Sequence, residues 1–254
     1  MPGEAILRLT DLRKSFGDLT VLDGMSLEVG PGERWCILGR SGSGKSVTLK
    51  LISGLLRPDS GSLRVRGAEV SDLSGGELRR LRRHIGFLFQ TSALFDSYTI
   101  AENVAFPLLR ERQDEKTVRE RVAELLTRVG LEGHGDKHPD AVSGGMRKRV
   151  GLCRALALEP ELLLADEPTA GLDPVTAHDI GDLLAELSEE RSVTLLVVTH
   201  DLDSARRVCQ RAAFQHRGHI ARQGAFDELE GGDLPAVRRF FHPEAGPAAE
   251  EATR

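Results

Sequence analysis

Near the start of the chain, Gly39, Arg40, Ser41, Gly42, Ser43, Gly44, Lys45 and Ser46 read GxxxxGK(S/T) in full. Glycines let the backbone curl so that several N–H groups point inward, and a helix beginning at the end of the loop adds its positive pole. Lys45 supplies a full cation for the β and γ phosphates of a nucleotide, and Ser46 is placed to offer its hydroxyl to magnesium. A plain Gly-rich turn between a strand and a helix would use the glycines but not the lysine. Lysine is also scarce, since the 34 basic residues are 28 Arg and 6 Lys.

A second group of residues fits the same chemistry. Leu162, Leu163, Leu164 and Ala165 form an apolar strand that ends in Asp166 and Glu167. Ligand-binding groups in open parallel sheets gather at the carboxyl ends of strands. Asp166 therefore suits the magnesium shell, and Glu167 suits polarising an attacking water. Alone, the two acids could merely cap the turn before Pro168; paired with the loop at 39–46 they complete a site for phosphate hydrolysis. A third feature is Ser143, Gly144 and Gly145, which open another helix with free N–H groups for an anion, although a bare N-cap explains such a triplet equally well. The same triplet occurs as Ser74, Gly75 and Gly76, and there Glu77 makes it a capping box and nothing more. Ser143 lies 23 residues before Asp166, room for one helix leading into that strand.

The elements that must position these residues follow from periodicity. Strands are expected at 5–9, 25–29, 34–38, 85–89, 162–165 and 193–199, and helices at about 44–54, 146–157, 174–190 and from 202. Val118, Val122, Leu125, Leu126 and Val129 make one apolar stripe of an amphipathic helix. Continuous apolar strands alternating with helices predict an α/β fold with a parallel sheet covered on both faces. A β-rich start, residues 91–150 as an inserted helical subdomain, 1–90 and 151–241 as the core, and a disordered tail at 242–254 complete the expected organisation.

Composition narrows the function. The net charge of −5 argues against a nucleic-acid coat, which needs excess Lys and Arg. No apolar run approaches the roughly 20 residues that span a bilayer. The N-terminus has no basic and apolar regions of a signal peptide. Cys36, Cys153 and Cys209 are odd in number and lack CxxC spacing, which favours a reducing, cytoplasmic setting. Arg79, Arg80, Arg82 and Arg83 could touch anionic lipid headgroups, though such a run is more often a solvated face.

Together these residues resemble the nucleotide-binding subunit of ATP-binding cassette (ABC) transporters over about residues 5–240. That resemblance implies a P-loop, RecA-like parallel-sheet core with an N-terminal antiparallel β portion. It further implies that Gln90 is the Q-loop glutamine and a magnesium contact with Ser46 and Asp166, that Ser143 to Gly145 is the signature motif, and that Gly171, Leu172 and Asp173 form the D-loop. His200 becomes the switch histidine, catalytic together with Glu167 and Gln90, and Phe16 the aromatic that stacks on adenine. The ATP contacts would run from Gly39, Arg40, Ser41, Gly42, Ser43 and Gly44 through Lys45, Ser46 and Val47. Each has a plainer alternative: Phe16 as core, Gln90 as a satisfied polar residue, Asp173 as an N-cap before Pro174, His200 as a strand-end hydrogen-bonder.

The signature's usual glutamine is Met146 here. With the strip from Phe89 to Thr99 and Glu102, Asn103 and Val104, it resembles the ATPase of lipid importers of the Mla or MCE type. The resemblance implies a cofactor set of ATP and Mg2+, and a homodimer in which Ser143, Gly144, Gly145 and Asp173 contact the partner's ATP. It also implies an integral membrane permease, an MCE-type lipid-binding subunit, phospholipid as cargo, and a peripheral place at the inner membrane. Importers of amino acids or other small solutes are the alternative, and a non-transport ABC ATPase is another. Soluble ABC ATPases of DNA or translation usually carry coiled coils, zinc modules or two tandem cassettes. A P-loop kinase would leave Ser143 to Gly145 and His200 unexplained. Some of Ala93, Leu94, Phe95 and Tyr98 are expected to line a groove for a permease helix, the plainer alternative being that they form the helical subdomain's own core.

Overall fold

The computed structural model describes residues 4–242. The expected tail at 242–254 lies, apart from His242, outside the described residues. In chain order the elements are β1 (Leu7–Phe16), β2 (Leu19–Val29), β3 (Arg34–Leu38), α1 (Lys45–Ile52), β4 (Ser60–Val65), β5 (Ala68–Glu69), α2 (Gly75–Arg82) and β6 (Ile85–Leu88). Then come α3 (Ile100–Arg110), α4 (Glu115–Arg128), α5 (Gly144–Leu156), β7 (Leu162–Asp166), α6 (Pro174–Glu190), β8 (Thr194–Thr199) and α7 (Leu202–Val208). The last are β9 (Arg211–His216), β10 (His219–Ala225), α8 (Phe226–Glu230) and α9 (Pro235–Phe241).

Strands buried on both faces explain the main sheet. Leu162 and Leu164 pack into one apolar cluster while Leu163 and Ala165 pack into another, and Leu196 and Val198 divide from Leu195 and Val197 in the same way. Each fully buried aliphatic side chain of this kind contributes about 1.5–3 kcal/mol. The sheet has the order β10-β9-β3-β8-β7-β6, with β9, β3, β8, β7 and β6 parallel and β10 antiparallel to β9. One cluster joins it to α3, α4, α5, α6 and α7; the other joins it to α1 and a second, antiparallel sheet of order β2-β1-β4-β5.

The register decides where chemistry can happen. Leu38 pairs with Thr199, Asp166 with Val198, and Leu88 with Ala165, so β3, β8, β7 and β6 end together. The loops that leave those ends carry residues 39–44, Glu167, His200 and Gln90. Segment 91–150 holds α3, α4 and the first half of α5. Val118, Val122, Leu125 and Leu126 of α4 are buried on one face, as their spacing predicts. In the arginine run, Arg82 donates to the Ser53 and Gly54 carbonyls, both at 2.9 Å, and Arg83 pairs with Glu111 at 2.8 Å. Two of the four charges therefore hold structure while remaining on an exposed face.

Candidate active site

The chain enters the phosphate loop directly from buried β3, and Gly44, in the left-handed region at φ 98°, turns it into α1. Lys45 is 6% exposed; its ammonium donates to the Gly39 carbonyl at 2.8 Å and the Arg40 carbonyl at 3.2 Å. Burial pulls its pKa below the usual lysine range, against the pull of nearby Glu167 and Asp166. The Ser43 hydroxyl is buried with no hydrogen-bond partner, a polar group available to a ligand. From behind, Gln215 of β9 donates to the Ser43 carbonyl at 2.7 Å. Arg40, Ser41 and Gly42 are exposed, and Val47 packs against the core beneath α1.

Two carboxylates meet this loop. The Ser46 hydroxyl donates to Asp166 Oδ1 at 2.8 Å. Burial raises the Asp166 pKa, opposed by the Ser46 hydrogen bond and reinforced by the negative charge of Glu167. A buried carboxylate with raised pKa, beside a hydroxyl, is stabilised by a hard dication with oxygen ligands, so these residues fit Mg2+. Glu167 is gripped on both oxygens, since Thr199 Oγ1 donates to Oε2 at 2.9 Å and His200 Nδ1 lies 2.8 Å from Oε1. Lys45 Nζ stands 3.8 Å from Oε1. The Glu167 backbone is itself left-handed at φ 45°, a conformation that costs a non-glycine residue of order 1 kcal/mol or more.

Lys45, Ser46, Asp166, Glu167 and His200 are thus brought together at the carboxyl ends of the inner strands β3, β7 and β8. Gln90 follows β6, with an exposed side chain and a carbonyl that accepts from Lys148. The other candidates stand apart from this cluster. Phe16 is exposed at the end of β1, with the Lys14 ammonium 5.4 Å from its ring centre. Ser143 caps α5, its hydroxyl accepting from Met146 N at 3.2 Å. Asp173 caps α6, accepting from Thr176 N at 3.0 Å, and its pKa falls below the carboxylate range chiefly through the Thr176 hydroxyl. Gly144 lies in the first turn of α5. Gly145 packs so tightly on α6 that a Cβ there would stand 2.4 Å from Thr176 Cγ2.

Three residues of this site escaped sequence reasoning: Thr199, Gln215 and Lys148. Thr199 ends an apolar strand and gave no signal apart from its neighbour His200. Gln215 is the polar residue that follows the apolar run from Ala212 to Phe214. Lys148 had the signal that singled out Lys45, a lysine in an arginine-rich chain, yet it sits unmarked between Arg147 and Arg149. Of the four residues in the strip after Gln90, Leu94 packs against the core, while Ala93, Phe95 and Tyr98 are exposed, the two rings at 40% and 38% and in contact with Phe106.

Residues 22–170 match the family described as ABC transporter. The chain belongs to the ABC transporter ATP-binding family. It is 41% identical over 245 residues to the methionine import ATP-binding protein MetN of Caulobacter vibrioides, covering 96% of this chain and 71% of that protein. It is 40% identical over 243 residues to the probable ribonucleotide transport ATP-binding protein mkl of Mycobacterium leprae, covering 95% and 70%. Among solved structures, the dimeric ATP-binding cassette MJ0796 in a post-hydrolysis state with ADP and Pi superposes with a TM-score of 0.80 at 35% identity, covering 86% of this chain and 98% of that one. A further structure, cbiO1 of Clostridium perfringens, part of the ABC transporter complex cbiONQ, gives a TM-score of 0.82 at 33% identity, covering 89% and 91%. The α/β P-loop fold is that of these cassettes. This ABC protein is an ATPase whose hydrolysis is coupled to transport, and among the described residues no helix is long and apolar enough to cross a membrane.

Proposed function

We propose that two copies of this chain close head to tail around two ATP molecules and, on hydrolysis, pull on an integral membrane permease that imports a small polar solute of the amino-acid class. The observation that carries the hydrolytic part is Glu167, gripped by Thr199 and His200 beside Lys45. Glu167 polarises the attacking water, His200 orients Glu167 and senses the γ phosphate, and Lys45 faces the β and γ phosphates. Backbone groups from Gly39 to Val47 cradle the phosphates, and Phe16 stacks on adenine. Ser46, Asp166 and Gln90 would hold Mg2+, which when bound neutralises charge on the phosphate oxygens. Ser143, Gly144, Gly145 and Asp173 contact the ATP held by the other copy. The core at 1–90 and 151–241 then turns against the helical segment 91–150, with Phe95, Tyr98 and Phe106 as the patch that a short permease helix covers.

The cargo assignment is supported by the names of similar proteins, one a methionine importer and one a probable ribonucleotide transporter. Phospholipid with an MCE-type subunit is the second reading, favoured only by Met146 and the strip from Phe89 to Val104. Purification with the native permease, followed by reconstitution into vesicles, separates the two. ATP-dependent uptake of an amino acid supports the first; ATP-dependent transfer of labelled phospholipid without amino-acid uptake replaces it with the second. Lys45→Ala should lower ATP affinity and turnover by about 100-fold or more, and Glu167→Gln should keep ATP binding and ATP-driven dimerisation while stopping turnover. Wild-type turnover in either variant would refute the site.

A further inference from the structure

Lys148 occupies a place that the roles above do not use. It lies in the second turn of α5, the helix that Ser143 caps, and it is 5% exposed. Its ammonium donates to the Gln90 carbonyl and, at 3.2 Å, to the Glu167 carbonyl. One buried cation therefore touches the backbone of the glutamine that follows β6 and the backbone of the carboxylate that follows β7. Burial draws its pKa down to about 8, against the pull of Asp166 and Glu167.

The two carbonyls it holds belong to strained or irregular backbone. Glu167 is left-handed at φ 45°, and so are Ser92 and Ala93 just after Gln90, at φ 61° and 44°. Such peptides persist when surrounding groups over-determine them. At the Glu167 peptide those groups are the Val198 carbonyl, which accepts from Glu167 N at 2.9 Å, and two donors to its oxygen, Ala170 N and the Lys148 ammonium, each at 3.2 Å. Farther along the same helix, Arg154 donates to the Ser92 carbonyl at 2.6 Å and the Ala93 carbonyl at 2.8 Å. The cations divide the work: Arg154 holds only the loop after Gln90, whereas Lys148 alone reaches Glu167 as well.

We propose that Lys148 is a positioning residue for ATP hydrolysis, tying the peptides of Gln90 and Glu167 to the helix that begins at Ser143. Three segments that must act in register then meet at one ammonium: the contact to the partner's nucleotide, the glutamine beside the metal, and the general base. Side-chain direction at Glu167 follows the orientation of its strained peptide, so a loosened peptide misplaces the carboxylate without removing it. The inference rests on the role of Glu167 proposed above.

The test uses the full chain with Lys148→Met, which keeps length and apolar bulk but donates nothing, and Lys148→Gln, which keeps two N–H donors without charge. Lys148→Met should lower kcat by about 100-fold, the cost of misplacing a reacting group by roughly an ångström, with KM for ATP changed less than about threefold. Lys148→Gln should recover kcat to within about tenfold of wild type, because the carbonyls regain donors. Melting temperatures of the two variants should stay close together while their kcat values separate. Wild-type kcat in Lys148→Met overturns the proposal. Unfolding of Lys148→Met, or a fall in melting temperature that tracks kcat across both variants, overturns it in favour of a purely structural lysine. Glu167→Gln runs alongside: if it still turns over, the assignment of the general base fails, whereas arrest there with normal Lys148→Met rejects only the role of Lys148.

Discussion

Helices α2 and α5 both start from Ser-Gly-Gly, and their caps have nearly the same backbone: Ser74 at φ −66°, ψ 164° and Ser143 at φ −67°, ψ 165°. Their third helical residues set them apart. Glu77 reaches back so that its carboxylate accepts from Ser74 N at 2.9 Å and the Ser74 hydroxyl at 2.7 Å, closing a capping box. At the equivalent position α5 has Met146, which can neither accept a hydrogen bond from Ser143 N nor place a negative charge at the helix start. The positive end of α2 is thus filled by its own side chain, while that of α5 is left clear for an outside anion. The glycines differ too, since a Cβ on Gly75 or Gly76 would meet nothing within 4 Å whereas one on Gly145 would collide with Thr176. The triplet itself only starts a helix; the third helical residue and the neighbouring helix decide whether that start can serve a ligand.

Converting one helix start into the other gives the largest expected effect. Met146→Glu should build the α2-type box at α5 and set a carboxylate where the partner's phosphate is proposed to sit. ATP hydrolysis should fall by about 100-fold or more, the scale on which a transition-state contact is lost, while melting temperature and ATP binding by the single subunit hold. Met146→Gln can make the same backbone contact without charge and should keep turnover within about threefold. Equal activities of the two variants would mean that no anion approaches Ser143.

A smaller effect separates the glycines. Gly145→Ala should destabilise by about 1–3 kcal/mol, since α5 and α6 must move apart to relieve overpacking. Gly76→Ala sits in open space in the first turn of α2, without a left-handed φ, and should stabilise by about 0.4–1 kcal/mol. Urea midpoints of the two variants measure both. Similar shifts of one sign would show that the contact between Gly145 and Thr176 does not constrain the α5–α6 packing.

The same contrast explains what could be read in the sequence. Strand β3 and helix α6 fall at the expected residues because apolar periodicity and the Asp173–Pro174 start are local signals, and the Ser74–Glu77 box is present as its spacing predicts. Strands β4, β9 and β10 were missed. Ser60, Gly61 and Ser62 open β4 and Ala212 and Ala213 lie in β9, small or polar residues that become strand only by pairing with β1 and β3. The expected strand at 5–9 runs on to Phe16, carried past register shifts by its pairing with β2 and β4. At the site, motifs pointed to Lys45, Ser46, Asp166 and Glu167 through their residue types, and the family resemblance pointed to His200. Lys148 was not legible, because its significance lies in two carbonyls 58 and 19 residues away.

Acid should distinguish the two helix starts most subtly. The Ser74 hydroxyl and N–H hold the Glu77 carboxyl below the usual glutamate range, so its ionised form is favoured by folding. A depressed folded pKa contributes stability that is full above the unfolded glutamate value and is lost as pH falls through the folded one. Ser143 has no titrating partner at the third position of α5, so its cap does not change over that interval. Glu77→Gln keeps an acceptor for Ser74 N but cannot titrate. Melting temperatures of wild type and Glu77→Gln, taken stepwise from pH 7 down to the onset of acid unfolding, should favour wild type at neutral pH and converge in acid. Because Glu77 is exposed, the separation should also narrow in high salt. A constant difference between the two proteins across that range would show that the carboxylate charge contributes nothing to the α2 cap.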